Sequence, residues 1–86
     1  MNFKIPIVSY LFFTMKYFAN YNANNGTRFQ EPIEGTNKDQ IIKDIREIAE
    51  GNRFDGSTCS WEVWTENGKE VASGGCNSNG RRYRNL

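Results

Sequence analysis

From Lys16 to Ala23 the chain alternates as a strand does. Tyr17, Ala19 and Tyr21 share one side of an extended backbone, and Lys16, Phe18 and Asn20 share the other. Asn24-Asn25-Gly26 then reads as a turn. Thr27 to Ile33 is expected to return as a second, weaker strand, which Pro32 confines to an edge or to its end.

The spacing changes after Gly35. Ile41, Ile42, Ile45, Ile48 and Ala49 follow helical periodicity and predict a helix from about Asn37 to Glu50 with one apolar stripe. Thr36 or Asn37 can cap its N-terminus, with Asp39 or Gln40 three residues on, and Gly51 supplies a stop. Four isoleucines on one stripe read as core.

A turn-rich link from Gly51 to Gly56 leads to a hairpin centred on Asn67-Gly68. A two-residue type I′ loop there makes cross-strand partner numbers sum to 135. Trp64 then faces Val71, Val63 faces Ala72, Trp61 faces Gly74 and Cys59 faces Cys76, with the cysteines on a non-hydrogen-bonded site. A third Asn-Gly, Asn79-Gly80, predicts another two-residue turn and a third meander strand, with Tyr83 opposite Cys76 and Arg84 opposite Gly75.

That register sorts the hairpin into two faces. Cys59, Trp61, Val63, Ala72, Gly74, Cys76 and Tyr83 form an apolar face expected to pack on the isoleucine stripe. Ser60, Glu62, Trp64, Lys69, Val71, Ser73 and Gly75, with Arg82 and Arg84, form a mainly polar one. Trp64 in the middle of the polar face is either an ordinary cross-strand partner of Val71 or the aromatic centre of an interaction surface.

Residues 1–14 stand apart. Ile5 to Phe13 is apolar except for Ser9 and follows Lys4, as in the first two regions of a signal peptide, but no small-residue cleavage site follows. The segment is also too short to span a bilayer. It reads as an apolar leader before a single small domain at 15–86, and Met15 is an alternative start. These signals favour a cytoplasmic over a secreted chain.

Composition narrows the chemistry. Apolar residues make up 37% of the 86, aromatics 14%, and net charge is +1, the balance of a small globular chain rather than a disordered one. With no His and only two Cys, neither the common zinc sites nor a His-dependent catalytic arrangement can be built within one chain. No Gly-rich phosphate loop opens a helix. No cofactor, metal or small-molecule site is evident, and the chain is not expected to be an enzyme. Charge is uneven: all ten acids lie within 31–70, while Arg81, Arg82 and Arg84 make the C-terminus basic. Cys59 and Cys76 form a structural pair, either a disulfide or two buried thiols.

The sequence therefore predicts an α+β fold: three to five antiparallel strands in the order β(β)αβββ, with one amphipathic helix on one face. The expected role is non-catalytic binding of a protein, or self-association, through the face carrying Trp64, Val71 and Lys69. Nucleic-acid binding through the basic-aromatic strand Arg81-Arg82-Tyr83-Arg84 is the alternative.

Overall fold

The computed structural model describes residues 15–85, and the apolar leader at 1–14 lies outside them. Strands β1 (Tyr17–Ala23) and β2 (Ile33–Gly35) precede helix α1 (Lys38–Gly51), and β3 (Cys59–Thr65), β4 (Glu70–Cys76) and β5 (Arg82–Arg84) follow it. All five strands join one antiparallel sheet in the order β2-β1-β3-β4-β5. The α+β fold and the element order match the sequence expectation. The connection from β2 through α1 to β3 lays the helix over one face, against β1, β3, β4 and β2.

The core is that contact. Ile41, Ile42, Ile45 and Ala49 of α1 are buried against Ala19, Tyr21 and Ala23 of β1, Cys59, Trp61 and Val63 of β3, and Ala72 and Cys76 of β4. Burying each large aliphatic side chain contributes about 1.5–3 kcal/mol, so the isoleucine stripe is the main force holding the layers together. At the start of α1 the Asn37 carboxamide accepts from the Gln40 backbone N–H at 3.0 Å. The Gln40 side chain does not return the bond and donates to Asp44 instead, at 2.8 Å. Gly51 does not stop the helix. It lies within the last turn, and Asn52 caps the end by donating from its side chain to the Ile48 carbonyl at 2.8 Å.

The returning strand is also shorter and later than expected. Asn24, Asn25 and Gly26 all take positive φ, and after one bridge from Ala23 to Thr27 the chain leaves the sheet until Ile33. Buried Asn20 bridges the gap: its side-chain oxygen accepts from the Phe29 N–H at 3.3 Å and its amide donates to the Phe29 carbonyl at 3.4 Å. β2 then forms as an edge strand immediately after Pro32, where the missing N–H costs no ladder bond.

Neither Asn-Gly turn has the expected two-residue form. Thr65 N–H donates to the Lys69 carbonyl and Gly68 N–H to the Thr65 carbonyl, both at 2.9 Å, and in this turn only Gly68 has positive φ. The loop is thus three residues, Glu66-Asn67-Gly68, closed by a glycine bulge. The extra residue shifts Trp64 onto Glu70. A second irregularity between Val63 and Trp64 then leaves Val71 unpaired and restores the partner sum of 135. Cys59 therefore does face Cys76, Trp61 faces Gly74, and Val63 faces Ala72. Trp64 does not face Val71, which packs against the core instead.

The second turn has the same shape, with Asn77 N–H on the Arg81 carbonyl at 2.9 Å and Gly80 at φ 84. Here no bulge compensates. Cys76 faces Arg82, Gly75 faces Tyr83 and Gly74 faces Arg84, one residue away from the expected register. A one-residue slip exchanges the faces of a strand. Tyr83 is therefore on the side away from α1, and Arg82 and Arg84 are on the helix side.

Ser73 and Asn77 direct backbone groups toward β5 and its approach, through Asn85 N–H to Ser73 and Asn77 N–H to Arg81. By alternation the backbone groups of Gly74 and Cys76 face β3, so the cysteines occupy a hydrogen-bonded pair rather than the expected non-hydrogen-bonded one. Both are buried free thiols with their sulfurs 2.9 Å apart. Beside them, Gly74 and Gly75 are steric necessities. A Cβ on Gly74 would stand 2.6 Å from the Trp61 ring and from the Tyr83 carbonyl oxygen, and one on Gly75 would fall on the Cys59 carbonyl oxygen.

Two outcomes are expected. Gly75→Ala should lower unfolding free energy in urea by about 3 kcal/mol, the upper range for overpacking. Gly35→Ala, where an added Cβ meets nothing within 4 Å, should stay close to the parent. Equal losses would refute the steric account. The second concerns pH. Burial, reinforced by the hydrogen bond to Cys76, pushes the Cys59 thiol from 9.0 up to about 12. On unfolding the thiol regains its ordinary value, so the unfolded chain releases that proton first. The resulting stability is complete below pH 9 and is lost as pH rises toward 12. Melting temperature of the reduced protein should therefore fall more steeply above pH 9 than that of Cys59→Ala. Parallel curves would refute the assignment.

Candidate functional site

The helix covers one side of the sheet and leaves Phe18, Asn22, Ser60, Glu62, Trp64, Ser73 and Tyr83 on the other, as the pairings Phe18↔Trp64, Asn20↔Glu62, Asn22↔Ser60, Glu62↔Ser73 and Gly75↔Tyr83 require. Its centre of mass is aromatic. The rings of Phe18 and Trp64 stack with centroids 6.4 Å apart and planes 22° apart. Both are half-buried, because each shields one face of the other. Aromatic pairs of this kind contribute about 0.5–1.5 kcal/mol beyond their area, which holds the two rings in place.

Charged groups frame the ring. Arg28 approaches Glu62 at 3.8 Å, and both side chains remain about half exposed, so this pair orients more than it stabilises. A shallow depression of about 440 Å³ beside Trp64 is walled by Arg28, Glu62, Gly68 and Glu70. Two carboxylates against one guanidinium leave it negative. Farther along the same face, Asn22, Ser60, Ser73 and Tyr83 line a more polar surface.

The expected binding residues are thus divided. Trp64 and Tyr83 are on the face opposite α1, Lys69 is exposed in the β3–β4 turn, and Arg81 is exposed in the β4–β5 turn. Val71 belongs to the core side. Arg82 is drawn to α1, where its Nε and a terminal nitrogen donate to both Glu50 carboxylate oxygens at 2.8 and 2.9 Å. Those hydrogen bonds, with the Glu50 charge, raise the Arg82 pKa further. Arg84 is on the same side, so the basic-aromatic strand does not present one continuous surface. Sequence reasoning missed Phe18 as the partner of Trp64. Its alternation was visible, but nothing local shows that β1 pairs with β3 across the helix.

A depression of about 590 Å³ lies between β2 and α1, with Ile33, Ile41 and Ile48 among Glu34, Asp44 and Glu47. It brings together apolar groups and acids, with no nucleophile set beside a base. Among the described residues no cluster of three His, Cys, Asp or Glu could hold a metal ion, and no helix is long and apolar enough to cross a membrane.

Part of the chain is similar to inositol-3-phosphate synthases. The enzymes of Brassica napus and Citrus paradisi are each 44% identical to it over 55 residues, and the probable isozyme 3 of Arabidopsis thaliana is 42% identical over the same length. The match takes in 60% of this chain but only 11% of each relative. No family profile matches the chain, and no solved structure matches it significantly.

Proposed function

We propose that this is a non-catalytic binding domain that recognises a protein through the sheet face opposite α1. The observation that carries this reading is the stacked Phe18–Trp64 pair on a face no described element covers. A rigid aromatic centre within a polar border of Asn, Ser and paired charges is the usual composition of a protein-recognition patch. The negative depression beside the ring favours a partner that lays a Lys or Arg side chain over the indole, joining cation–π attraction to pairing with Glu62 or Glu70. A second copy of this chain has such groups in Lys69 and Arg81.

Nucleic-acid binding has less support. Arg82 is tied to Glu50 on the helix side, and the face that keeps Trp64 and Tyr83 carries acids among its charges. The activity named for the inositol-3-phosphate synthases is not carried over, because the similarity spans 11% of those proteins.

Sedimentation velocity over a concentration series tests self-recognition directly, and a photo-cross-linking side chain at Ser73 reports any other protein on the same face. The expected result is a complex that tolerates added salt and weakens by roughly tenfold or more in Trp64→Ala, equivalent to about 1.4 kcal/mol. Association that is unchanged in Trp64→Ala would sink the reading. A complex with single-stranded nucleic acid that collapses with salt would favour the alternative.

A further inference from the structure

A cleft of about 210 Å³ opens between α1 and β5, at the flank of the sheet. Ile42 and Arg46 of the helix, Arg82, Tyr83 and Arg84 of β5, and Trp61 and Gly75 of the strands between line it. The register explains the arrangement. Trp61, Gly74 and Arg84 make one row across three strands, and the bare Gly74 lets the indole lie over β4 toward Arg84.

Two donors in this cleft lack acceptors. Trp61 is 4% exposed, yet its indole Nε1–H is buried without a hydrogen-bond partner, and the buried Arg46 Nε–H is in the same position. Buried polar hydrogens are nearly always paired, so two orphans lining one cleft indicate a missing acceptor. Among the described residues no acceptor reaches either one. The guanidinium and indole groups that line it only donate, and the nearby carboxylate, Glu50, is bonded to Arg82 through both oxygens and is not part of the lining. Charge agrees with this. Three arginines and no described acid line the cleft, and Glu50 and, more weakly, Glu47 act on Arg82 from outside it.

We propose that this cleft binds a single tetrahedral oxyanion, either free phosphate or the phosphomonoester of a small molecule. Trp61 Nε1 and Arg46 Nε donate to its oxygens, and the guanidinium groups of Arg82 and Arg84 balance its charge. An oxyanion offers acceptors only, the complement of a wall built from donors. Glu50 holds Arg82 in position from behind and excludes a bulkier anion from that side.

Indole N–H resonances of the isotope-labelled full chain provide the test, with the two tryptophans assigned through Trp64→Phe. Titration with inorganic phosphate, at ionic strength held constant with chloride, should move the Trp61 signal saturably and leave the Trp64 signal in place. Arg46→Gln should weaken that response by roughly tenfold or more. An unmoved Trp64 signal certifies the fold of the variant, and Arg84→Gln serves should Arg46→Gln not fold. Methyl phosphate binding more tightly than inorganic phosphate identifies a monoester as the ligand, and the reverse identifies free phosphate. No saturable shift up to tens of millimolar, an equal response to chloride, or a response undiminished in the folded variant overturns the proposal. The first of these means that water alone fills the cleft.

Discussion

Trp61 lying across Gly74 is the contact on which the rest of the molecule depends. The ring would collide with any side chain at position 74, and the adjacent Gly75 lets β4 approach the Cys59 carbonyl of β3. The two glycines cost backbone entropy in a strand, but here they are what lets the sheet close around its largest core residue. From that contact follow the floor of the core beneath the isoleucine stripe and the direction of the indole toward β5. The cysteines, two residues beyond Trp61 and Gly74 on their own strands, extend the same apolar row to the end of the hairpin. They fit because a thiol is small and tolerates full burial.

Register is the second constraint, and it was only partly legible in the sequence. Asn67-Gly68 and Asn79-Gly80 announced two turns correctly, but the letters do not distinguish a two-residue loop from a three-residue loop with a glycine bulge. Both loops took the longer form. At the first, the extra residue at Val71 returned the strands to the expected phase, so Cys59, Trp61 and Val63 met their expected partners through two departures that cancel. At the second, nothing cancelled, and Tyr83 exchanged faces with Arg82 and Arg84. Helix α1 was readable almost in full, because its stripe of isoleucines is a local pattern. The pairing of β1 with β3 was not, since it depends on contacts more than thirty residues apart in the chain. With it went the partnership of Phe18 and Trp64.

The slip at β5 also changes the meaning of the charge distribution. In the sequence, Arg81-Arg82-Tyr83-Arg84 is a basic-aromatic run, and such runs suggest a single anionic surface. Folding separates it by alternation: the aromatic ring goes with Trp64, and two guanidinium groups go to the helix side, beside the cleft that Arg46 also lines. Part of the basic excess of the C-terminus is thereby spent against the acidic middle of the chain, through Glu50 and Arg82. That ion pair is on an exposed flank and contributes little stability by itself. Its consequence is positional, because it fixes the short β5 against α1.

Two faces with different chemistry result. One is covered by no described element, is centred on stacked rings and is bordered by acids. The other is a narrow cleft between helix and strand in which donors outnumber acceptors. Tyr83 borders both, and β3 builds both, since Trp61 and Trp64 lie three residues apart and point to opposite sides of one strand. A strand that short is stiff, so an anion seated on Trp61 would act on the Trp64 face through the backbone of Glu62 and Val63. Both are held in the ladder to β1 and β4. Small shifts of a doubly paired central strand are costly, so the two faces should work as independent sites.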